Sequence, residues 1–277
     1  MDRHESGSTV MSQVSPQECA TAADEFREDD FPERYDDQRH RPLREFRDPS
    51  ELPITLTLND TVMVTLLATP EALETLAIGH AYTAGWIERF AQIEAIDISR
   101  LRHGLAVRLT VAERLATRAA EGLPSEPSVS SCGACGAAQE AQLMAGLVRL
   151  GAQAPIAPAM LRRGLDALSR RYRRGQHSAL GLDENGDVMA SGTDIGRHNA
   201  LDRVIGECLR RGHWPRAVLL SSRCSLELVQ KTVRARIPTL ATLSLPSALA
   251  VEVARACDLN LLCCHRGRHL ELLSGQA

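Results

Sequence analysis

Ala217-Val-Leu-Leu-Ser221, Leu226-Glu-Leu-Val-Gln-Lys-Thr-Val-Arg-Ala-Arg236, Thr239-Leu-Ala-Thr-Leu243, Ser247-Ala-Leu-Ala-Val-Glu-Val-Ala-Arg-Ala-Cys257 and Leu259-Asn-Leu-Leu-Cys263 follow one another with only short turns between them. The first, third and fifth are short apolar runs, whereas the second and fourth space their apolar side chains at helical intervals. Strands separated by helices in this way argue for a βαβ sheet covered by helices. Upstream, residues 197–211 read as a further helix. Residues 177–182 and 188–191 read as a hairpin around Asp183-Glu-Asn-Gly186. With helices expected over 137–150 and 159–172, a C-terminal α/β core spans 137–277.

The next stretch toward the N-terminus carries its own pattern. Residues 52–58 and 62–68 are strand-like and joined by Asn59-Asp60. Thr69-Pro70 reads as a helix cap followed by a first helical proline, after which Leu73, Leu76, Ala77 and His80 share one face until Gly85. Two more strands, 93–98 and 105–111, and a short helix over 112–121 complete an N-terminal α/β region at 49–121 with a β-β-α start. Residues 1–50 carry 13 Asp/Glu against 7 Arg and no sustained period, so residues 1–48 are expected to be a disordered acidic tail. Residues 122–136, rich in Pro, Ser and Gly, are expected to be a mobile loop.

At 277 residues and 44% apolar content the chain can bury a substantial core. It has no apolar run of the roughly 18–20 residues a spanning helix needs and no signal-peptide pattern, which predicts a cytoplasmic protein without membrane contact. The net charge of −3, concentrated in the tail, gives no reason to expect nucleic-acid binding. Lys231 is the only lysine among 32 basic residues, which reads as a compositional bias toward arginine. The eight cysteines are expected to be reduced in that compartment.

Ser131-Cys132-Gly-Ala-Cys135-Gly136 is where chemistry is expected. A thiol reacts as thiolate, which is favoured where a loop meets a helix N-terminus. Three readings apply to this CxxC. A zinc site needs about four ligands, and no familiar module supplies the other two; no His-x-Glu precedes Cys132, as a zinc deaminase would require, so no metal is expected. A thioredoxin-like dithiol would ordinarily follow an early strand. A persulfide-carrying cysteine profits from a mobile, glycine-flanked loop, because the sulfur must visit donor and acceptor.

Asp194-Ile-Gly-Arg-His-Asn-Ala-Leu-Asp202 gathers titratable side chains at a helix start, with Asp194 as an N-cap and His198 and Asp202 one turn apart, either as a surface ion pair or as a ligand site. Ser221-Ser-Arg-Cys-Ser225 lies at a strand end before a helix, where open α/β sheets gather ligands, or simply supplies Ser225 as a cap. His177 reads as a hairpin histidine, and Cys208, Cys224 and Cys257 as packing residues. Cys264-His265-Arg266-Gly267-Arg268-His269 is a basic turn between two strands, suited to clamping a diphosphate.

These stretches together resemble the FdhD family of formate dehydrogenase accessory sulfurtransferases. The matching strings are Ala68-Thr-Pro-Glu-Ala-Leu-Glu74, Cys132-Gly-Ala-Cys-Gly136, Asp194 through Gly206, Ser221 through Pro238 and Leu243 through Ala254. The resemblance implies a cytidine-deaminase-like layered α/β fold without deaminase chemistry, and a homodimer. It also implies a sulfur carrier and transferase that takes sulfane sulfur from a cysteine desulfurase as a persulfide on Cys132. That sulfur would go to the bis-molybdopterin guanine dinucleotide molybdenum cofactor of the formate dehydrogenase catalytic subunit, with Cys135 assisting. Cofactor contacts are implied for Cys264, His265, Arg266, Gly267, Arg268 and His269, with Arg197 and His198 added as phosphate-holding residues. Two other readings are a non-catalytic chaperone that binds and inserts the cofactor, and a dithiol oxidoreductase. The chain departs from the family pattern at Arg173-Arg174-Gly175, Thr193 and Cys264, and at Leu270 and Leu272.

Overall fold

The computed structural model describes residues 51–121, 147–154, 156–171, 173–265 and 269–275. The acidic tail and the Cys132–Cys135 loop therefore lie outside the described residues, as do Arg266, Gly267 and Arg268. Two sheets organise the rest. In the first, β1 (Leu52–Leu58) pairs antiparallel with β2 (Thr61–Ala68) and parallel with β4 (Gly104–Val111), which in turn pairs antiparallel with β3 (Ile93–Leu101). The spatial order is β2-β1-β4-β3. Strand β1 alternates half-buried and buried residues, so Ile54, Leu56 and Leu58 join Val107 and Leu109 on one face. That face is closed by Leu76, Ala77 and Ile78 of α1 (Leu73–Thr83) and by Leu115 and Ala119 of α2 (Glu113–Glu121).

The second sheet runs β10-β9-β8-β7-β5-β6. Its strands are β5 (His177–Leu182), β6 (Val188–Asp194), β7 (Ala217–Leu220), β8 (Thr239–Thr242), β9 (Asn260–His265) and β10 (His269–Ser274). Strands β7, β8 and β9 are parallel, as the alternating strand and helix pattern requires, and the flanking pairs are antiparallel. The central strands are apolar on both faces because both are covered. Val218, Leu220, Leu240 and Leu261 pack with Leu201, Val204 and Ile205 of α4 (Arg197–Arg211), Leu228 and Val233 of α5 (Leu226–Arg234) and Val253 of α6 (Ala248–Ala256). Leu180, Leu182, Leu219 and Leu262 pack instead with Leu161, Leu165 and Leu168 of α3 (Pro158–Arg170). Each fully buried leucine stabilises the fold by roughly 1.5–3 kcal/mol. The layered α/β class expected from the alternating pattern is the one the structure has.

Helices α1 and α4 meet backbone to backbone. A Cβ added at Gly206 would stand 1.9 Å from the Thr75 carbonyl oxygen, and one at Gly79 would stand 1.8 Å from that of Asp202. Only glycine permits this approach, and it brings the ends of α1 within hydrogen-bond reach of α4.

Several local expectations are corrected. Thr69 does not cap a helix: α1 begins at Leu73, and its N-cap Ala72 has a left-handed φ of 43°. The Thr69 hydroxyl is engaged elsewhere, accepting from the Ile195 N–H and from Gln176. Asp194 does not cap α4, whose N-cap is Gly196; Asp194 Oδ1 instead accepts from the Gly196 N–H and Asn199 Nδ2. Ser225 holds the N-cap position of α5 without a side-chain cap bond. Residues 147–150, expected to end a helix, form no regular element. The Leu150 N–H donates instead to the Cys257 carbonyl, beyond the end of α6. Strand β6 runs on to Asp194, past the expected end at residue 191, because its pairing with β5 continues to His177.

Candidate functional site

The topology gathers several of the singled-out residues at one end of the six-stranded sheet. Parallel β7, β8 and β9 finish together at Leu220, Thr242 and His265. Strand β5 is antiparallel to β7, with Ala179 opposite Leu220, so its first residue His177 lies at the same end, paired with Asp194 at the end of β6. The connecting loops are stitched to one another. Ser221 Oγ accepts from the Ser178 N–H at 2.8 Å, the Leu243 N–H donates to the Leu220 carbonyl, and the Ser247 N–H donates to the Cys224 carbonyl. This is the carboxyl end of the parallel strands, where open α/β sheets present ligand-binding loops.

Arg197, His198, His177 and Glu227 bring charged or titratable side chains to this end. His198, in the first turn of α4, bonds Glu227 Oε2 of α5 at 2.7 Å, with Ser225 Oγ 3.3 Å from the same ring nitrogen. The hydrogen bond from His198 holds the Glu227 carboxyl below its ordinary range, against the opposing effect of burial. Burial, followed by the charge of Arg197, pushes the His177 imidazole down. Arg197 Nε is itself buried, with no hydrogen-bond partner among the described residues. An unpartnered buried guanidinium nitrogen is costly unless another group meets it.

Two buried ionic centres hold α4 in place below that end. On one side Arg203, 2% exposed, directs Nε to Asp194 Oδ2 at 3.1 Å, and its Nη groups donate to that carboxylate and to the carbonyls of Thr69, Glu71 and Ala72. These carbonyls belong to the β2–α1 connection, which explains its left-handed Ala72. On the other side Asp202, fully buried, accepts from Lys231 Nζ at 2.8 Å on both oxygens, from Thr83 Oγ1 at 3.0 Å and from His80 Nδ1 at 3.1 Å. Asp202 is therefore no surface partner of His198; each pairs across to α5 instead. Glu227, Lys231, His80 and Arg203 do not stand out in the sequence as site residues. The signals pointing to them are that the lysine is solitary and that Arg203, Glu227 and Lys231 fall inside the strings that carry the family resemblance.

This second centre makes stability pH-dependent in two steps. Burial, then Lys231, pushes His80 below its ordinary 6.5, so the fold resists a proton that the unfolded chain accepts. That contribution is complete above about pH 6.5 and declines as the pH falls below it. Burial alone would raise Asp202, but Lys231 and His80 more than reverse this and hold it at about 2. Its contribution, about 2 kcal/mol, is present above about pH 4 and lost as the pH falls toward 2. Urea unfolding across a pH series is expected to show both declines in the wild type and a smaller upper one in His80→Gln, where the depressed His177 still contributes.

Of the residues expected at the site, Arg197, His198 and the Ser221–Ser225 loop come together, with His177 beside them. His265 and His269 are opposed across the ends of β9 and β10. Cys264 is 7% exposed and belongs to the core with Leu180 and Leu262, so its side chain is a packing group. Cys208, Cys224, Cys257 and Cys263 are likewise free and buried, and burial pushes the Cys208 and Cys224 thiols up to about 12. Among the described residues no group of three or more metal-ligating side chains occurs, and no helix is long and apolar enough to cross a membrane.

Fold and site define a two-sheet α/β protein with a histidine- and arginine-bearing end to its larger sheet. The chain belongs to the FdhD/NarQ family, whose model matches residues 49–277. It is 32% identical over 221 residues to a protein of Bordetella bronchiseptica named sulfur carrier protein FdhD, covering 76% of this chain and 79% of the relative. A protein of the same name from Burkholderia mallei is 35% identical over 233 residues, covering 76% and 82%. The fold matches a crystal structure from Desulfotalea psychrophila, described as a candidate formate dehydrogenase accessory protein, with a TM-score of 0.61 at 20% identity, covering 82% of this chain and 87% of that one.

Proposed function

We propose that this protein is a sulfur carrier and transferase in which Cys132 holds the sulfur as a persulfide. The observation that supports this is the state of the described cysteines. All five are buried, and two are pushed so high that almost no thiolate exists at neutral pH. Of the three other cysteines, Cys19 falls in the acidic N-terminal stretch, and the glycine-flanked Cys132 and Cys135 have the sequence setting for thiolate chemistry, in a chain whose relatives are named sulfur carriers.

The Cys132 thiolate attacks the outer sulfur of a cysteine desulfurase persulfide. A sulfur–sulfur bond forms to Cys132, the one to the desulfurase breaks, and the desulfurase cysteine leaves as thiolate. For release, the Cys135 thiolate attacks the inner sulfur, a Cys132–Cys135 disulfide forms, and hydrosulfide leaves toward the acceptor. A cellular thiol then reopens the disulfide. The acceptor we infer is the bis-molybdopterin guanine dinucleotide molybdenum cofactor of the formate dehydrogenase catalytic subunit, as substrate. Arg266, Arg268 and Arg197 would hold its phosphates, the last supported by its unpartnered Nε. The carrier would act in the cytoplasm as a homodimer.

Mass mapping after incubation with desulfurase and cysteine tests the reading. One added sulfur on Cys132 is expected. An unmodified thiol would favour a cofactor-inserting chaperone; because release itself yields the disulfide, a Cys132–Cys135 disulfide favours a dithiol oxidoreductase only if Cys135→Ser also gains no sulfur on Cys132. By calorimetry, guanosine diphosphate is expected to bind more tightly than adenosine diphosphate, and Arg268→Ala to weaken it. Equal or absent binding of the two nucleotides would remove the nucleotide assignment of the 264–269 turn.

A further inference from the structure

Lys231 is the sole lysine in a chain that otherwise uses arginine for every basic position. Its surroundings show what an ammonium does there that a guanidinium could not. Three acceptors, Asp202 Oδ1 and Oδ2 at 2.8 Å and Thr83 Oγ1 at 2.9 Å, close on one nitrogen. A compact ammonium with three donors satisfies all of them, whereas a planar fork spreads its donors over several ångströms.

Lys231 and Glu227 are one turn apart on α5, and Asp202 and His198 are one turn apart on α4, so the two helices face each other through two stacked rungs about 6 Å apart. The lower rung, Lys231–Asp202, has side chains 14% and 0% exposed; the upper, His198–Glu227, has 29% and 56%. An exposed pair contributes little to its own geometry, whereas a buried, fully bonded one is rigid. Each helix also alternates sign along the seam, so sliding either by one turn would set like charges opposite one another.

We propose that Lys231 is a positioning residue for His198: seated on Asp202, it fixes the α4–α5 register that keeps His198 and Glu227 in contact at the carboxyl end of the sheet. For sulfur delivery this rests on the function proposed above, but the contact itself can be read without it. The charged and titratable groups that act on His198 or adjoin it are Glu227 and Lys231 of α5, Asp202 and Arg197 of α4, His80 of α1 and His177 of β5.

The test is a double-mutant cycle on full-length protein, following the Glu227 carboxyl by NMR through a pH titration, its resonance assigned with Glu227→Gln. In the wild-type background His198→Gln is expected to raise the Glu227 midpoint, because the hydrogen bond from His198 holds that carboxyl below its ordinary range. In a Lys231→Arg or Lys231→Met background the same substitution is expected to move it by less than about a third as much. Should Lys231→Met not fold, Lys231→Arg and Asp202→Asn/Lys231→Met, which leave no uncompensated charge, carry the measurement. An undiminished His198→Gln effect on Glu227 in folded Lys231 variants would overturn the proposal, because a merely stabilising lysine leaves that coupling intact. If the coupling is lost while sulfur delivery is unchanged, positioning stands and the role of His198 in delivery falls.

Discussion

Cys132→Ser is expected to abolish sulfur loading and client activation together. A serine hydroxyl has a far higher pKa than a thiol and cannot form the sulfur–sulfur bond that holds the cargo. Cys135→Ser is expected to differ in kind: it still accepts sulfur, and the persulfide on Cys132 lasts longer because the attack that expels hydrosulfide is gone. Persulfide labelling with mass mapping on both variants, alongside formate dehydrogenase activity in cells lacking the native protein, separates the two cysteines. If Cys132→Ser loads Cys135 and still activates the client, the carrier has been assigned to the wrong cysteine.

Arg203→Met is expected to destabilise the fold by about 3–5 kcal/mol. The substitution keeps much of the side-chain volume but removes the partner of a fully buried carboxylate, Asp194, and strips donors from the carbonyls of Thr69, Glu71 and Ala72. Asp194 and Thr69 are buried, so their desolvation cost is not recovered, whereas the exposed Glu71 and Ala72 can meet water. Urea unfolding should show the loss as a lower midpoint at an unchanged slope. Asp194→Asn/Arg203→Met should recover part of it, because the neutral amide no longer leaves a buried charge. A single-variant loss below about 1 kcal/mol, the size of one ordinary hydrogen bond, would mean that Asp194 is adequately held by the Thr69, Gly196 and Asn199 donors alone.

The sheet and its covering helices were legible because they rest on local periodicity. Residues 177–182 bound β5 as expected, 197–211 bound α4, and the parallel β7, β8 and β9 follow from apolar runs separated by helical spacing. The cap assignments at Thr69 and Asp194 failed for a non-local reason. Cap chemistry reads a short polar side chain against its nearest N–H groups, yet here the two residues bond to each other's surroundings across a long stretch of chain: the Thr69 N–H donates to Asp194, and the Thr69 hydroxyl accepts from Ile195. Family membership was equally legible, since long strings in fixed order survive any uncertainty about where they fold.

The sequence by itself determined the α/β class, the helix and strand order over residues 177–265, the reactive-looking Cys132–Cys135 pair and the family. Tertiary structure alone decided which charges meet. His198 and Asp202 lie one turn apart and suggest a pair with each other, but the glycine crossing of α1 with α4 and the packing of α5 beside it send Asp202 to Lys231 and His80, and His198 to Glu227. The reason is physical: periodicity fixes the face on which a side chain stands, whereas its partner is fixed by which other helix covers that face. Burial then decides which of those charges hold the fold together and which stay partly exposed at the end of the sheet.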